Sequence, residues 1–519
     1  MMDETKQSDS SIVAMKRANK GGRPSAESVE RRGGTKGNSV RHSTRRTQRR
    51  GSVSQAADRI RRAIARNPKE RLTALLHHLT VGALRRAYLG LRKDAAPGID
   101  GERWEEYGAK REERLLDLHG RVHRGAYRAP PVRRVHIPKP DGRTRPLGVA
   151  ALEDKILQKA VVDELLTPIY EAEFLGLSYG FRPGRKAHDA LDALAYGIER
   201  RKANWIVDAD IRTFFDAIDR EQLMRFVERR IGDRRVLRLV RKWLNAGVME
   251  DGTWSDSGRG TPQGAIVSPV LANVFLHYVL DEWFHRTWRP RVPEGEAILV
   301  RYADDFVAGF QRRADAKRFL RDLGERCAEF GLELHPEKTR LVEFGRFAAA
   351  NRRRRGERKP ETFDFLGFTH YCAKTRKGRF RLGRKPSAKR MNRTLRRVGK
   401  RLWRQRHADH WEVGKWLGRV LNGWLNYFAV PGSMRWLQSF CYRLQRRWLR
   451  VLRRRSQRDR FSWGRLRRMA KLLWPSVKIR HPWPAQRFGW RSLPKVGAVC
   501  SNGHARICAG GGRKLPSLP

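Results

Sequence analysis

Two acidic strings carry the chemistry this sequence could perform. Tyr302-Ala303-Asp304-Asp305 lies between the apolar runs Ile298-Leu299-Val300 and Phe306-Val307-Ala308, so adjacent carboxylates stand on the tight bend of a predicted β-hairpin. Upstream, Trp205 to Ile211 alternates with period two. Ile206, Asp208 and Asp210 then share one face, and Trp205, Val207, Ala209 and Ile211 the other. Two such strands side by side would clamp two divalent ions about 3.5–4 Å apart, the arrangement that activates an attacking oxygen and stabilises a leaving one in phosphoryl transfer. Adjacent strand residues point to opposite faces, so Asp304 and Asp305 reach the same metals only where the backbone turns. Taken alone, an Asp-Asp pair is weak evidence, because most are solvated turn residues or ion-pair partners.

The segments around these strings lift the reading. Between them comes Arg259-Gly-Thr-Pro-Gln-Gly264-Ala-Ile-Val-Ser-Pro269, a Gly/Pro-rich loop leading into Leu271 to Leu280, which is apolar at helical spacing. After Asp305 come Gly331-Leu-Glu-Leu-His-Pro-Glu-Lys-Thr339 and Phe363-Asp-Phe-Leu-Gly-Phe368. Ile137 to Leu147 reads as a basic hairpin, with turn chemistry at Asp141-Gly142 and the cations Lys139 and Arg145 on opposite sides. In this order the segments resemble the reverse-transcriptase domain of group II intron-encoded proteins, over roughly positions 85–372.

The resemblance implies an RNA-directed DNA polymerase using two Mg²⁺ ions. Its catalytic residues would be Asp210, Asp304 and Asp305, and its metal set Asp210, Ile211, Asp304 and Asp305. Asp208 and Asp216 read better as structural carboxylates. Lys139 and Arg145 would hold the dNTP triphosphate, where a Lys/Arg pair offsets charge on the transferring phosphate. Without the downstream motifs, a solvated hairpin tip is the better reading of that pair. Arg182, in Ser178-Tyr-Gly-Phe-Arg-Pro-Gly-Arg185, would contact template or phosphate. Gln263 would lie against the templating base, since Gly264 lets backbone approach a nucleobase closely. Phe215, five residues after Asp210, matches the aromatic that lies under the sugar and excludes a 2′-hydroxyl, the plain alternative being a core aromatic.

Composition agrees with a polyanionic partner. The 519 residues include 113 Lys and Arg against 54 Asp and Glu, a formal charge of +59 spread along the chain rather than gathered in one tail. The length calls for more than one domain. No stretch approaches the roughly 20 apolar residues of a membrane span. Five scattered cysteines suggest a reducing compartment, and the acidic residues near Met1 fit neither a secretory signal nor a transit peptide. The expected location is the bacterial cytoplasm, at the nucleoid.

The expected fold is α/β (α+β), a right-hand polymerase with fingers, an antiparallel palm sheet and a helical thumb. Residues 1–55 are expected to be a disordered basic tail, 56–125 an N-terminal extension, 126–372 fingers and palm, and 373–480 thumb and maturase domain X. In the last, Met391, Leu395, Val398 and Leu402 give a basic amphipathic helix capped by Ser387, and two further helices follow over Val413–Phe428 and Leu437–Val451. Their tryptophans are expected in the core. Residues 481–519 read as a short tail without an endonuclease; Cys500, His504 and Cys508 lack the paired spacing of a zinc site. Expected partners are group II intron RNA, a DNA target or primer, and dNTPs, with no membrane and the oligomeric state open. Two alternatives stay open: an RNA-binding splicing factor on an inactive polymerase scaffold, and a defence or retron-type reverse transcriptase without splicing work.

Overall fold

The computed structural model describes residues 55–487 except 69, 139–143, 251–252, 256–257, 262–263, 293–294 and 456–460. The expected N-terminal tail, Lys139, Gln263 and the Cys500/His504/Cys508 set lie outside the described residues. The chain divides into two compact units at Ala63 and Ile64, and helix α1 (Gln55–Arg66) runs across that division. All elements below lie in the second unit.

Three sheets and their helices follow in chain order. Helices α2 (Val81–Leu89), α3 (Trp104–Ala109) and α4 (Arg111–His123) precede strands β1 (Val132–Pro138) and β2 (Thr144–Val149). These strands pair antiparallel, as the turn chemistry between them predicts, with Ile137 opposite Arg145. Helices α5 (Leu152–Val161), α6 (Thr167–Glu173) and α7 (Ala187–Arg200) lead to β3 (Trp205–Asp210). Beyond it come α8 (Phe214–Ala217), α9 (Arg220–Glu228), α10 (Arg234–Leu244), and the short strands β4 (Val248–Glu250) and β5 (Thr253–Ser255). The first sheet has the order β2-β1-β4-β5, and its β1–β4 pair is parallel.

The apolar run after the Gly/Pro-rich loop forms α11 (Ser268–Leu276), then loosens into π-helical turns over His277–Asp281 and Trp283–Trp288. The predicted helix is there, but it widens where buried Asp281 must turn toward a buried arginine. Strands β6 (Ala297–Tyr302) and β7 (Asp305–Phe310), helix α12 (Arg313–Glu329) and strand β8 (Arg340–Glu343) complete a central, wholly antiparallel sheet of order β6-β7-β3-β8. Its two acidic strands, β3 and β7, are neighbours.

After α13 (Ala348–Arg354), strands β9 (Phe363–Phe365), β10 (Phe368–Lys374) and β11 (Phe380–Pro386) form a third antiparallel sheet. The expected domain boundary at 372 therefore falls inside β10. Helices α14 (Ala388–Arg404), α15 (His410–Phe428), α16 (Met434–Arg453) and α17 (Trp463–Leu473) follow. Ser387 caps α14, its hydroxyl accepting from Arg390 N at 3.4 Å, and Met391, Leu395, Val398 and Leu402 are buried as their spacing predicts. Trp424 and Trp448 lie in the core, whereas Trp403 and Trp411 are exposed, contrary to the expectation for the bundle's tryptophans. One hydrophobic core runs from α7 and the central sheet through β9–β11 into the bundle, so sheet and bundle are packed as one body at this junction.

Candidate active site

The acidic strings meet because of strand register. Asp210 ends β3 directly opposite Asp305, the first residue of β7. Partners in antiparallel strands project to the same face, so these two carboxylates are neighbours. Asp304 sits in the two-residue turn between Tyr302 and Asp305, where Ala303 takes a left-handed φ of +60°. That supplies the backbone turn which the Asp304-Asp305 string demands.

Crowded negative charge shows in the electrostatics. Burial, followed by the carboxylates of Asp208 and Asp304, pushes Asp305 up to about 7, with the Leu366 backbone N–H partly offsetting the rise. Leu366 lies in the β9–β10 turn, where Leu366 and Gly367 both have positive φ, so the Phe363–Phe368 string delivers a hydrogen-bond donor to the site. Asp208 is also raised, by burial above all, although the Arg340 guanidinium donates to it at 3.0 Å. Asp210 accepts a short hydrogen bond from the Lys338 ammonium.

Among the described residues, no three His, Cys, Asp or Glu side chains are gathered closely enough to hold an ion. The donor chemistry nonetheless fits a hard divalent cation: carboxylate oxygens share one face, their repulsion raises Asp305, and an ammonium sits on Asp210. Ile211 has no side-chain donor. It is buried and bridges to Leu334, so only its backbone carbonyl could touch a metal.

A buried scaffold that the sequence motifs do not announce holds the acidic turn from behind. Arg301 on β6 is 0 % exposed. Its guanidinium donates to both Asp281 oxygens at 2.8 and 2.5 Å, to Asn273 Oδ1 at 2.9 Å and to the Ala303 carbonyl at 3.0 Å. Asn273 in turn donates to the Gly180 carbonyl at 2.8 Å. Gly180 lies against the Ala303 backbone so closely that a Cβ would collide with it. A signal was present: an arginine inside Ile298-Leu299-Val300-Arg301 and an aspartate closing an apolar helical run both need buried partners.

Arg182 has a different role from the one expected. Its buried guanidinium donates to both Glu171 oxygens at 2.8 and 3.0 Å and to the carbonyls of Leu175, Ser178 and Phe174. Those bonds occupy its donors in holding the loop before α7, leaving none to reach a template or phosphate.

Phe215 is half-buried in α8, edge-on to Phe214, and its carbonyl accepts from Thr261 N at 2.9 Å. The Gly/Pro-rich loop is thereby tied to the segment after β3. Gly260 permits this contact at φ +81°, because a Cβ there would lie 2.9 Å from the Phe215 carbonyl. Farther along, Gly264 sits against the Gly148 carbonyl of β2, which joins the loop to the basic hairpin. Arg145 is on β2, and its side chain lies outside the described residues.

Comparison with known proteins gives the same assignment. The reverse transcriptase (RNA-dependent DNA polymerase) family matches residues 137–370. Protein YkfC of Escherichia coli is 31% identical over 287 residues, which cover 49% of this chain and 75% of that protein. The group II intron-encoded protein LtrA of Lactococcus lactis is 39% identical over 167 residues, 32% of this chain and 27% of LtrA. A putative COX1/OXI3 intron 1 protein of Saccharomyces cerevisiae is 27% identical over 277 residues, 44% of this chain and 32% of that one. The match thus spans three quarters of YkfC but a third or less of those two intron proteins. The family match over 137–370 holds both acidic strands and the loops that brace them, and the chain belongs to the group II intron reverse transcriptase/maturase family.

Proposed function

We propose that this protein is an RNA-directed DNA polymerase that also binds its intron RNA and assists splicing and mobility. The observation that carries the reading is the register pairing of Asp210 with Asp305 beside the Asp304 turn. In this reading the first sheet belongs to the fingers, the central sheet is the palm, and the bundle from α14 onward is thumb and maturase domain. Asp210, Asp304 and Asp305 would hold two Mg²⁺, with Ile211 contributing its carbonyl. Bound there, the ions would supply Lewis-acid activation of the primer 3′-oxygen and charge stabilisation on the departing pyrophosphate.

The chain's own residues do the rest. Arg301 and Asn273 fix the turn so that Asp304 and Asp305 need not reorganise during reaction. Lys139 and Arg145 clamp the triphosphate from the basic hairpin, Gln263 lies against the templating base, and Phe215 sits beneath the sugar. Intron RNA is held by the basic bundle, which assists splicing if it binds the active RNA fold more tightly than its competitors. Such work belongs where intron RNA and target DNA meet, which for a bacterial host is the nucleoid. No helix among the described residues is long and apolar enough to cross a membrane.

Incorporation of dNTPs on a primed RNA template with Mg²⁺, scored beside splicing of the flanking intron RNA, tests both halves. Asp304→Ala is expected to lose synthesis and retain splicing. Splicing assisted by a wild-type chain that makes no DNA would leave the scaffold reading instead.

A further inference from the structure

We propose that Lys338 is the resident counter-ion of the acidic site: its ammonium holds the Asp210 carboxylate in the metal-free protein and must leave it when a divalent ion enters. The inference rests on the metal-binding reading of the Asp210/Asp304/Asp305 site. Strand β8 lies against β3 with Asp208 opposite Arg340. Strand β8 begins only at Arg340, and the turn over 336–338 just before it brings Lys338 to Asp210. Two cation–carboxylate rungs result, Arg340–Asp208 at 3.0 Å and Lys338–Asp210.

The rungs are built differently. Asp208 is largely buried, its side chain 17 % exposed, and its partner is a planar guanidinium. Asp210 is 35 % exposed, and its partner is a lysine that is itself 57 % exposed. A lysine is a compact charge on a flexible stem, able to swing away without breaking the fold around it. Its backbone is nevertheless held close. His335 N donates to the Asp210 carbonyl at 2.8 Å, and Lys338 N donates to the His335 carbonyl at 3.2 Å. The turn from His335 to Lys338 therefore anchors the lysine backbone beside Asp210 while its side chain stays largely exposed. That is the construction of a displaceable placeholder. It offsets repulsion among carboxylates in the empty site and competes with the ion that replaces it.

Mn²⁺ binding to the full chain, without nucleic acid or nucleotide and followed by electron paramagnetic resonance, tests this directly. Lys338→Met is expected to bind Mn²⁺ more tightly, by up to about fivefold, the upper end of what an exposed ion pair is worth, while Lys338→Arg stays near wild type. In an Asp210→Asn background, Lys338→Met should bring no gain. Lys377→Met removes the same charge from an exposed position between β10 and β11 and should change nothing. A thermal melt verifies that Lys338→Met is folded. Unchanged or weaker binding by folded Lys338→Met, or an equal gain from Lys377→Met, would overturn the proposal. Failure of every variant and of wild type to bind Mn²⁺ would overturn the metal-site reading along with it.

Discussion

At the scale of single residues, the site stores charge that folding alone does not relieve. Asp305 is pushed up to about 7 in the folded chain and returns to about 3.9 when unfolded. Between those values the folded state binds the extra proton, so its stability falls as pH rises through the window, by at most about 4 kcal/mol for a full shift. Buried Asp154, pushed up to about 6, adds a decline of the same sign, so unfolding in EDTA across pH 4–8 should show a decline in wild type that is shallower in Asp305→Asn. Matching profiles for the two proteins would mean that the carboxylate is not strained. Arg301 makes a complementary case. Arg301→Met leaves Asp281 buried without its cation and should cost about 3–5 kcal/mol. Pairing it with Asp281→Leu should recover much of that loss in urea denaturation. DNA synthesis should stay impaired, because the Ala303 carbonyl has lost its anchor. Recovery of both properties would show that the turn holds its own position. The acidic strings, their order and their hairpin were legible in the sequence because period-two alternation and a two-residue turn are local properties. Arg301–Asp281 and Lys338–Asp210 were not, because each joins residues far apart in sequence that only the completed fold brings together.

At the scale of elements, three bundle helices could be read from their apolar spacing and, for α14, its Ser387 cap, while α17 could not be placed beforehand. Leu466, Met469 and Ala470 are spaced as a helical face and are buried, but the stripe is short and set among arginines. What seats α17 is a pair of glycines on α15. Gly414 and Gly418 lie one turn apart, and a Cβ at Gly418 would stand 2.6 Å from the Leu473 carbonyl at the end of α17. Trp474 Nε1 then donates to the Gly414 carbonyl at 3.1 Å. Their role was invisible in sequence, where glycine inside a helix reads as a weakness. Gly418→Ala should therefore push the helices apart and destabilise by about 1–3 kcal/mol. Gly423→Ala, on the same helix at a position where an added methyl would meet nothing within 4 Å, should be neutral or stabilise by up to about 1 kcal/mol. Thermal melts of both variants decide the matter: equal shifts would mean that helix propensity, and not the approach of α17, sets the cost. The same continuity of packing runs across residue 372, since Phe368 and Leu382 share a core with Leu421 and Phe428.

At the scale of the whole molecule, a formal charge of +59 attracts any polyanion, so the informative question is which surface turns attraction into binding. The faces differ. Around Phe226, Tyr278 and Trp283, the side chains of Arg229, Arg286, Arg291, Arg321 and Arg326 are interleaved with Glu282, Asp322, Glu325 and Glu329, and much of the positive field is cancelled locally. Helix α14 has no acidic residue, and Arg393, Arg396, Arg397, Lys400 and Arg404 line one open groove along it. Cations repeated at intervals of a helical turn, with no carboxylate paired to them among the described residues, should contact phosphates and release counter-ions on binding. For single-stranded RNA each such contact adds about 0.7 to the slope of log K against log salt. Replacing those five side chains with glutamine should weaken intron RNA binding at every salt concentration and flatten the slope by roughly 3.5. The same number of substitutions among the interleaved arginines should flatten it less. Filter binding from 50 to 200 mM salt separates the two variants. An α14 variant with the wild-type slope would move RNA recognition off this helix, leaving its positive face as solubility alone.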